Sequence, residues 1–264
     1  MALTEDQVLV ELYRAAALAG RPSIAIPSLD LEVAENLNGR ESALKAISRL
    51  AKTNRITSVR KDLLLLPDPT GRITVGIADL IDTVSPQPYL ITGGRALEHH
   101  DLTDQHFFAV AVLVPSQVTP FAFRSERARF LVTNEKFIWG WGDDRPQYAT
   151  PERAVLDVLN SARFGVSFSQ ALSSLNLGAH CDPKFLERLA ASARRLGSDS
   201  ASRRIGLIVD TLFGSDAAAP FVELIGESRT PVLLRRGGVT TAPIDSKWRV
   251  IVNASTTPEI VGSK

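Results

Sequence analysis

The sequence contains a single cysteine, Cys181, among its 264 residues. A disulfide within the chain is therefore impossible, and a zinc site would have to rely on histidines. No apolar run is long enough to cross a bilayer, and the longest, which begins at Phe107, is typical of a buried strand. The first residues do not resemble a secretory signal, because no basic segment precedes a long apolar one. These absences predict a cytoplasmic protein with no membrane partner.

An excess of charge of one sign is also missing. The chain has 30 basic and 29 acidic side chains, so no global field marks it as a nucleic-acid coat or a membrane binder. The balance conceals a local asymmetry, however. Residues 1–37 carry two basic and six acidic side chains, a net −4, whereas residues 40–61 carry seven basic and one acidic, a net +6. Any strongly basic surface is therefore expected from the second segment.

The predicted elements of the first quarter occur in the order of a winged helix-turn-helix module. A helix over residues 4–20 is followed by a short strand over 23–27, a second helix over 30–38 and a third over 40–53. Two strands around a tight turn follow within residues 55–66. The glycine between the second and third helices suits the turn of this motif.

The third helix has two faces of opposite character at about 100° per residue. Five apolar side chains form a predicted core-facing stripe: Ala43, Leu44, Ile47, Leu50 and Ala51. Basic side chains opposite an apolar stripe also occur on ordinary solvated helices. The element order and the additional charge in the wing favour DNA binding, with base contacts at the helix start and phosphate contacts further along. The predicted DNA-binding residues are Arg40, Ser42, Lys45, Arg49, Lys52, Arg55, Arg60 and Lys61.

The remainder of the chain predicts a different arrangement of secondary structure. The sequence "PDPTGR" from Pro67 ends the hairpin pattern, which places a DNA-binding domain at residues 1–68 and a second domain at 69–264. Helical and extended segments mix in the second domain without the regular alternation of a doubly wound sheet. We therefore expect an α+β protein with a mixed α/β second domain, which has a possible subdivision near residue 180.

Other candidate sites favour structural roles. Glu98, His99 and His100 invite a metal or acid–base interpretation, but adjacent histidines on a helix point about 100° apart, and a helix C-terminus explains them better. His180 and Cys181 are expected in a loop before a helix capped by Asp182. No complete catalytic constellation is visible, so we expect no enzymatic activity, cofactor or metal. A metal-dependent hydrolase or nuclease at the histidines stays a minor alternative.

Arginines recur outside the first domain. Arg127 and Arg129 would share one face of a strand and form, with Arg124, a second basic patch. The sequence leaves open whether this patch is solvated, binds a partner or contacts nucleic acid. Paired arginines in "SARRLG" and "SRRIG" are expected to face solvent.

Three ordered elements carry a family resemblance. The first runs from Tyr89 to Leu102, the second is Pro151, Glu152, Arg153 and Ala154 with Asp157, and the third runs from Arg204 to Asp210. With the basic N-terminal module, they resemble the AbiEi-type antitoxins, transcriptional regulators of type IV toxin–antitoxin pairs. This chain has Asp101 where the family usually has glycine, so the local turn is expected to differ.

The resemblance implies a winged-helix autorepressor that binds an inverted repeat in its own promoter, as double-stranded DNA. It also implies that the second domain counteracts a cognate nucleotidyltransferase-like toxin, usually without direct contact. The shared motif residues are structural rather than catalytic in that family. A regulator that responds to a ligand or a protein partner, without a toxin, is the alternative.

Overall fold

The structure is a computed structural model of two compact units. The first unit comprises Met1–Gln87 and Ser116–Arg129, and the second comprises Pro88–Pro115 and Phe130–Lys264. The boundary expected after residue 68 therefore differs from the observed division, which adds residues 69–87 and 116–129 to the first unit. For residues 23–25 and 40, only the backbone is described. The described residues are 4–18, 23–25, 40–60, 63–68, 70, 72–237 and 239–256.

Helices and short strands alternate irregularly, which confirms the mixed α+β class. The described helices are α1 (Glu5–Leu18), α2 (Arg40–Lys52), α3 (Ile77–Val84), α4 (Gly94–His99), α5 (Pro151–Asn160), α6 (Phe168–Cys181), α7 (Phe185–Leu196), α8 (Asp199–Phe213) and α9 (Ser215–Val222). The described strands are β1 (Ser23–Ala25), β2 (Thr57–Arg60), β3 (Leu63–Leu65), β4 (Leu90–Thr92), β5 (Ala109–Val114), β6 (Phe121–Phe123), β7 (Glu126–Val132), β8 (Val232–Leu233), β9 (Ile244–Asp245) and β10 (Val250–Ile251).

The first unit contains helices α1, α2 and α3 and a small antiparallel sheet of order β1-β3-β2. Thr4 begins α1, where its hydroxyl accepts a hydrogen bond from the Gln7 amide at 3.3 Å. Strand β3 pairs with both of its neighbours, so that Leu65 lies opposite Ser23 on one side and Thr57 on the other. The second predicted helix, over residues 30–38, lies outside the described residues.

The core of this unit is built mainly from small and medium apolar side chains of α1 and α2. Its buried members are Val8, Leu12, Ala16, Ala43, Ala46, Ile47, Leu50, Ile56, Leu64 and Leu66. The prediction that Leu44 faces the core is wrong: this side chain is 40% exposed, whereas Ala46 is buried. The buried stripe is centred on Ala43, Ala46 and Leu50, and Leu44 lies about 100° from Ala43 at its edge.

The second unit is organised around α5, whose residues 152–159 are all buried. Strand β4 pairs antiparallel with β5 in the register Leu90 opposite Leu113. Helices α6 to α9 and the C-terminal segment contribute to the same hydrophobic core as β4, β5 and α5. Because α5 has no solvent-facing side, its charged side chains must find partners inside the protein.

Arg153 and Asp157 of α5 satisfy this requirement together. The Arg153 Nε donates to Asp157 Oδ1 at 3.0 Å, and the Thr92 hydroxyl at the end of β4 donates to Asp157 Oδ2 at 2.7 Å. The remaining guanidinium nitrogens donate to the carbonyl oxygens of Trp139 and Phe137, at 3.3 and 3.1 Å. The guanidinium also lies 4.1 Å from the centre of the Trp139 ring. One ion pair therefore joins α5, β4 and the 137–139 segment.

Helix α8 anchors the C-terminal segment through Trp248, which is fully buried. The ring packs on Gly206, where an added Cβ would lie 2.0 Å from Trp248 Cζ3. One helical turn later, Asp210 accepts hydrogen bonds from the indole Nε1 at 2.7 Å and from Lys247 Nζ at 2.6 Å. These two hydrogen bonds hold the pKa of Asp210 below its ordinary value.

The arginines of "SRRIG" were predicted to face solvent, and this prediction is wrong. Arg203 is fully buried and binds Asp199 and the carbonyl oxygens of Ser228 and Thr230. Arg204 is 5% exposed. The arginines of "SARRLG", Arg194 and Arg195, are exposed as expected.

The C-terminal half is more helical than predicted. Helices α6 and α9 were not identified from the sequence. His180 and Cys181, which were placed in a loop, form the last turn of α6, and α7 begins only at Phe185 after the N-cap Lys184. Asp182 ends α6 and accepts a hydrogen bond from the Lys184 amide at 2.9 Å. The polar serines of α6 weakened its helical pattern, whereas a capping box between Ser167 and Gln170 begins the helix.

The packing of Trp248 on Gly206 predicts that a larger side chain at position 206 lowers the free energy of unfolding. In Gly206→Ala the new methyl group would overlap a fully buried ring that is packed on all sides. We expect this overlap to outweigh the roughly 1 kcal/mol by which alanine favours a helix over glycine, with a net loss of unfolding free energy on the order of 1–2 kcal/mol. Urea denaturation measures the difference. Gly142→Ala is the matched control, since a Cβ added there would have no neighbour within 4 Å, and an equal loss there would contradict the explanation.

The lowered pKa of Asp210 predicts a pH-dependent contribution to stability. An aspartate with a lower pKa in the folded than in the unfolded state stabilises the fold above the unfolded pKa, and this contribution disappears as the pH falls through the folded pKa. We expect Asp210→Asn to lower the unfolding free energy by about 0.5–1 kcal/mol at pH 7, and the difference from wild type to shrink below about pH 4. Urea denaturation from about pH 7 down to about pH 2.5 measures it. Asp216→Asn removes the same charge from an exposed position and should show no such trend.

Candidate nucleic-acid interface

Helix α2 presents a basic face opposite its buried stripe. We define the basic face by three exposed side chains, Lys45, Arg49 and Lys52. Ser42 is also exposed at the N-terminal end of the helix. Four of the eight predicted DNA-binding residues therefore have described, solvent-accessible side chains on one helix, because burial of the alanine-rich stripe turns these positions outward.

Lys45 shares the start of this face with an acidic side chain. Its ammonium lies 2.7 Å from the Glu41 carboxylate one turn earlier, and the two side chains are 73% and 84% exposed. A pair this exposed contributes little free energy, since water and salt screen it. Lys45 can therefore exchange Glu41 for another anion at small cost.

Arg49 and Lys52 are positioned differently. Within the described ranges, neither side chain forms an ion pair, and both are exposed on the last two turns of α2. Two exposed cations on one helical edge are suited to the phosphates of a nucleic-acid backbone, which they would bind as charges rather than by base recognition.

Two other predicted phosphate-binding residues have partners inside the first unit. Arg55 Nη2 lies 2.6 Å from Asp6 and Nη1 lies 3.7 Å from Glu5, so its guanidinium links the end of α2 to α1. Arg60 donates to the Thr119 carbonyl, and its guanidinium lies 5.7 Å from the centre of the Phe121 ring. Neither guanidinium is therefore free in the way expected from the sequence. These partners are far away in sequence, and no local pattern indicated them.

The last two predicted DNA-binding residues are Arg40 and Lys61. Arg40 begins α2, but its side chain is not among those described. Lys61, at the predicted tip of the wing, lies outside the described residues. Their roles stay predictions.

The second arginine patch belongs to the first unit, although the predicted boundary placed it in the second domain. It lies on the β6–β7 hairpin, where Phe121 pairs with Ala128 and Ala122 pairs with Arg127. Arg127 and Arg129 are exposed on either side of the buried Ala128, as the alternation predicted. Arg124 instead donates to the Ile73 carbonyl at 2.8 Å. The first unit thus carries more exposed basic groups than its predicted boundary included.

The histidines at the end of α4 contact neighbouring segments of the second unit. The His99 ring stacks on Tyr148 at 3.9 Å, and His100 Nε2 lies 2.7 Å from the Ala149 carbonyl oxygen. Burial, with the nearby His100 and Arg95, lowers the pKa of His99. Glu98 binds His106 and Arg95. Among the described residues no group of three or more His, Cys, Asp or Glu side chains could hold a metal ion.

The double glycine before α4 forms a tight turn. Gly93 has φ +72°, and an added Cβ would lie 2.7 Å from the Phe164 carbonyl oxygen. At Gly94 it would overlap the Phe107 ring. Both positions at the start of α4 therefore require glycine, for conformation or for close packing.

Comparisons with known proteins give a likeness of fold. No protein-family model matches the chain, and no curated protein matches it. Among solved structures, it is similar to the crystal structure of the RV2827C protein from Mycobacterium tuberculosis, with a TM-score of 0.60 and 13% sequence identity over 92% of this chain and 90% of that chain. At this identity the likeness shows a shared fold. In the described part of the chain no helix combines the length and apolar character needed to cross a membrane.

Proposed function

We propose that this protein is an antitoxin and DNA-binding autorepressor of a toxin–antitoxin operon. In this proposal the first unit is a winged helix-turn-helix domain with α2 as its recognition helix. The observation that carries DNA binding is the basic face of α2, which is exposed opposite the buried stripe. The proposal of an antitoxin rests on the family resemblance of the sequence.

The chemistry of the basic face fits duplex DNA. Lysine and arginine side chains that neutralise phosphates release condensed counterions, which supplies affinity without sequence preference. Ser42 and Arg40, at the N-terminal end of α2, occupy the positions from which a recognition helix contacts base edges in the major groove. Later on the helix, Arg49 and Lys52 would bind phosphates and set the orientation of α2.

The proposed interface includes fewer residues than the basic segment of the sequence. Arg55 supports it indirectly, because its ion pair with Asp6 fixes the end of α2 against α1. Arg60 likewise holds strand β2 against the β6–β7 hairpin through Phe121. We therefore assign direct DNA contacts to Ser42, Lys45, Arg49 and Lys52, with Arg40 and Lys61 added from the sequence.

In the second unit, several residues that carry the family resemblance make contacts inside the protein. Thr92, Arg153 and Asp157 form one buried network, and Gly206 and Asp210 hold Trp248. Thr92, Arg153 and Asp157 are too buried to touch a toxin, so they would act by maintaining the shape of the unit. Neutralisation of a nucleotidyltransferase-type toxin would then depend on other surfaces or on an indirect mechanism.

The basic face predicts salt-dependent DNA binding that a triple substitution weakens. For Lys45→Gln, Arg49→Gln and Lys52→Gln combined, we expect at least about a tenfold loss of affinity for the upstream promoter duplex at low salt. The slope of log affinity against log salt should become shallower by roughly 2–3, since each phosphate that the variant no longer neutralises removes about one unit. Fluorescence anisotropy over a range of about 50 to 300 mM KCl measures both quantities.

A triple variant of the second unit is the matched control. Lys136→Gln, Lys184→Gln and Arg229→Gln remove the same net charge from exposed positions, and they should leave affinity and slope nearly unchanged. Equal losses of affinity in both variants would show that DNA binding depends on net charge and not on the basic face. Wild-type affinity and slope in the α2 variant would exclude the basic face as the interface. Thermal denaturation confirms that each variant is folded.

The proposed antitoxin function predicts a neighbouring toxin gene and the rescue of growth by this protein. We expect the same operon to encode a nucleotidyltransferase-like protein whose expression arrests growth, and co-expression of this chain from an unrelated promoter to restore growth. The α2 triple variant should rescue equally well, because DNA binding is not required when both promoters are foreign. Failure of wild type to rescue, or absence of such a gene, would overturn the antitoxin assignment and favour a regulator without a toxin.

A further inference from the structure

A cleft in the second unit has the features of a ligand site. It lies between the C-terminal end of α5, the N-terminal end of α6 and the segment after β8, and its volume is about 130 Å³. That space holds several water molecules or a group of the size of a phosphate. Its two sides differ: Val166 and Phe168 contribute an apolar wall, whereas Asn160, Ser161 and Arg236 contribute a polar one.

The polar wall has an excess of positive charge. Arg236 Nη2 lies 3.5 Å from Asn160 Oδ1, and Arg204 Nη1 donates to the same oxygen at 3.0 Å. Two guanidinium groups therefore converge on one neutral amide oxygen. Arg235 also lines the cleft. Within the described residues none of these three arginines forms a salt bridge with a carboxylate.

Burial makes this arrangement costly. Arg204 is 5% exposed, and its other hydrogen bond goes to the Leu233 carbonyl at 2.6 Å, again a neutral acceptor. Burial and the nearby Arg236 lower the pKa of Arg204 to about 10. A buried cation next to a second cation, with only neutral partners, is destabilised relative to water. An anion bound in the cleft would offset that cost.

The surrounding backbone is held in place. The Arg235 amide donates to Asn253 Oδ1 at 2.8 Å, and Asn253 Nδ2 donates back to the Arg235 carbonyl at 2.9 Å. Ser167, which also lines the cleft, begins α6 through a capping box with Gln170. The positive end of the α6 dipole therefore lies at the cleft, which adds to the favourable potential for an anion. The site needs no large rearrangement before a ligand binds.

We propose that this cleft binds a phosphorylated small molecule. The phosphate would be held by Arg236 and Arg235 beside Asn160 and Ser161, with Arg204 contributing charge from behind Asn160. The apolar part of the molecule would lie against Val166 and Phe168. Arginine suits this role because its planar guanidinium binds two phosphate oxygens at once. This inference is independent of the proposed DNA binding, because all the residues belong to the second unit.

Binding to the full-length protein tests the proposal. The probes are inorganic phosphate, adenosine 5′-monophosphate and glucose 6-phosphate, measured by calorimetry and thermal shift at low ionic strength with constant chloride. We expect saturable binding and a melting temperature that rises with ligand concentration. Adenosine 5′-monophosphate should bind more tightly than inorganic phosphate because its adenine ring can lie against the apolar wall, whereas the hydroxylated sugar of glucose 6-phosphate has little apolar surface to bury there.

Two exposed arginines allow a variant that keeps the fold. Arg235→Gln with Arg236→Gln should weaken binding at least about tenfold, whereas Arg229→Gln, an exposed arginine elsewhere in the unit, should leave it unchanged. Absence of saturable binding by all three probes would overturn the proposal. So would equal losses in the control, or binding that survives the double substitution. Inorganic phosphate binding as tightly as adenosine 5′-monophosphate would overturn the assignment of the apolar wall.

Discussion

The buried ion pair between Arg153 and Asp157 is the constraint on which the second unit depends. Helix α5 is surrounded by protein, so an unpaired charge on it would carry a large desolvation penalty. Each partner is therefore satisfied from more than one direction: Thr92 binds the carboxylate, and the carbonyls of Trp139 and Phe137 bind the guanidinium. These requirements specify how β4 and the 137–139 segment meet the central helix, beyond what apolar packing alone would specify.

Helix α8 binds the C-terminal segment through buried groups that are likewise paired inside the protein. The ring of Trp248 packs on Gly206, and its indole nitrogen donates a hydrogen bond to Asp210. Arg203 donates hydrogen bonds to the carbonyl oxygens of residues 228 and 230. Arg204 differs, because its partners are neutral and a second guanidinium lies beside it. Most buried charge in the described part of this unit has an internal partner of opposite sign, and the exception lies beside a cleft. That contrast separates arginines neutralised inside the unit from Arg204, whose charge lies behind the wall of the cleft.

In the first unit, unlike the second, charged side chains lie mainly at the surface. Its α-helical contact uses alanine, valine and leucine, so few polar groups are buried and the charged side chains lie outside. Some of these cations act within the unit, as Arg55 does with Asp6 and Arg60 with Phe121. Of the cations in the basic segment after residue 40, Lys45, Arg49 and Lys52 stay exposed along α2. Internal contacts therefore reduce a diffuse basic segment to a compact face with the character of a phosphate-binding surface.

Local pattern in the sequence was sufficient for the helical periodicity of α1 and α2 and for the position of His99 and His100 at a helix C-terminus, since each depends on neighbours within a few residues. Local pattern also indicated the α+β class and the concentration of basic residues after residue 40. Only the tertiary structure decided that the β6–β7 hairpin belongs to the first unit, that Arg60 is engaged and that Arg203 and Arg204 are buried. The reason is physical: apart from Asp199, one helical turn before Arg203, the partners of these arginines lie 25 or more residues away in sequence, and a charged side chain is buried only where such partners meet it.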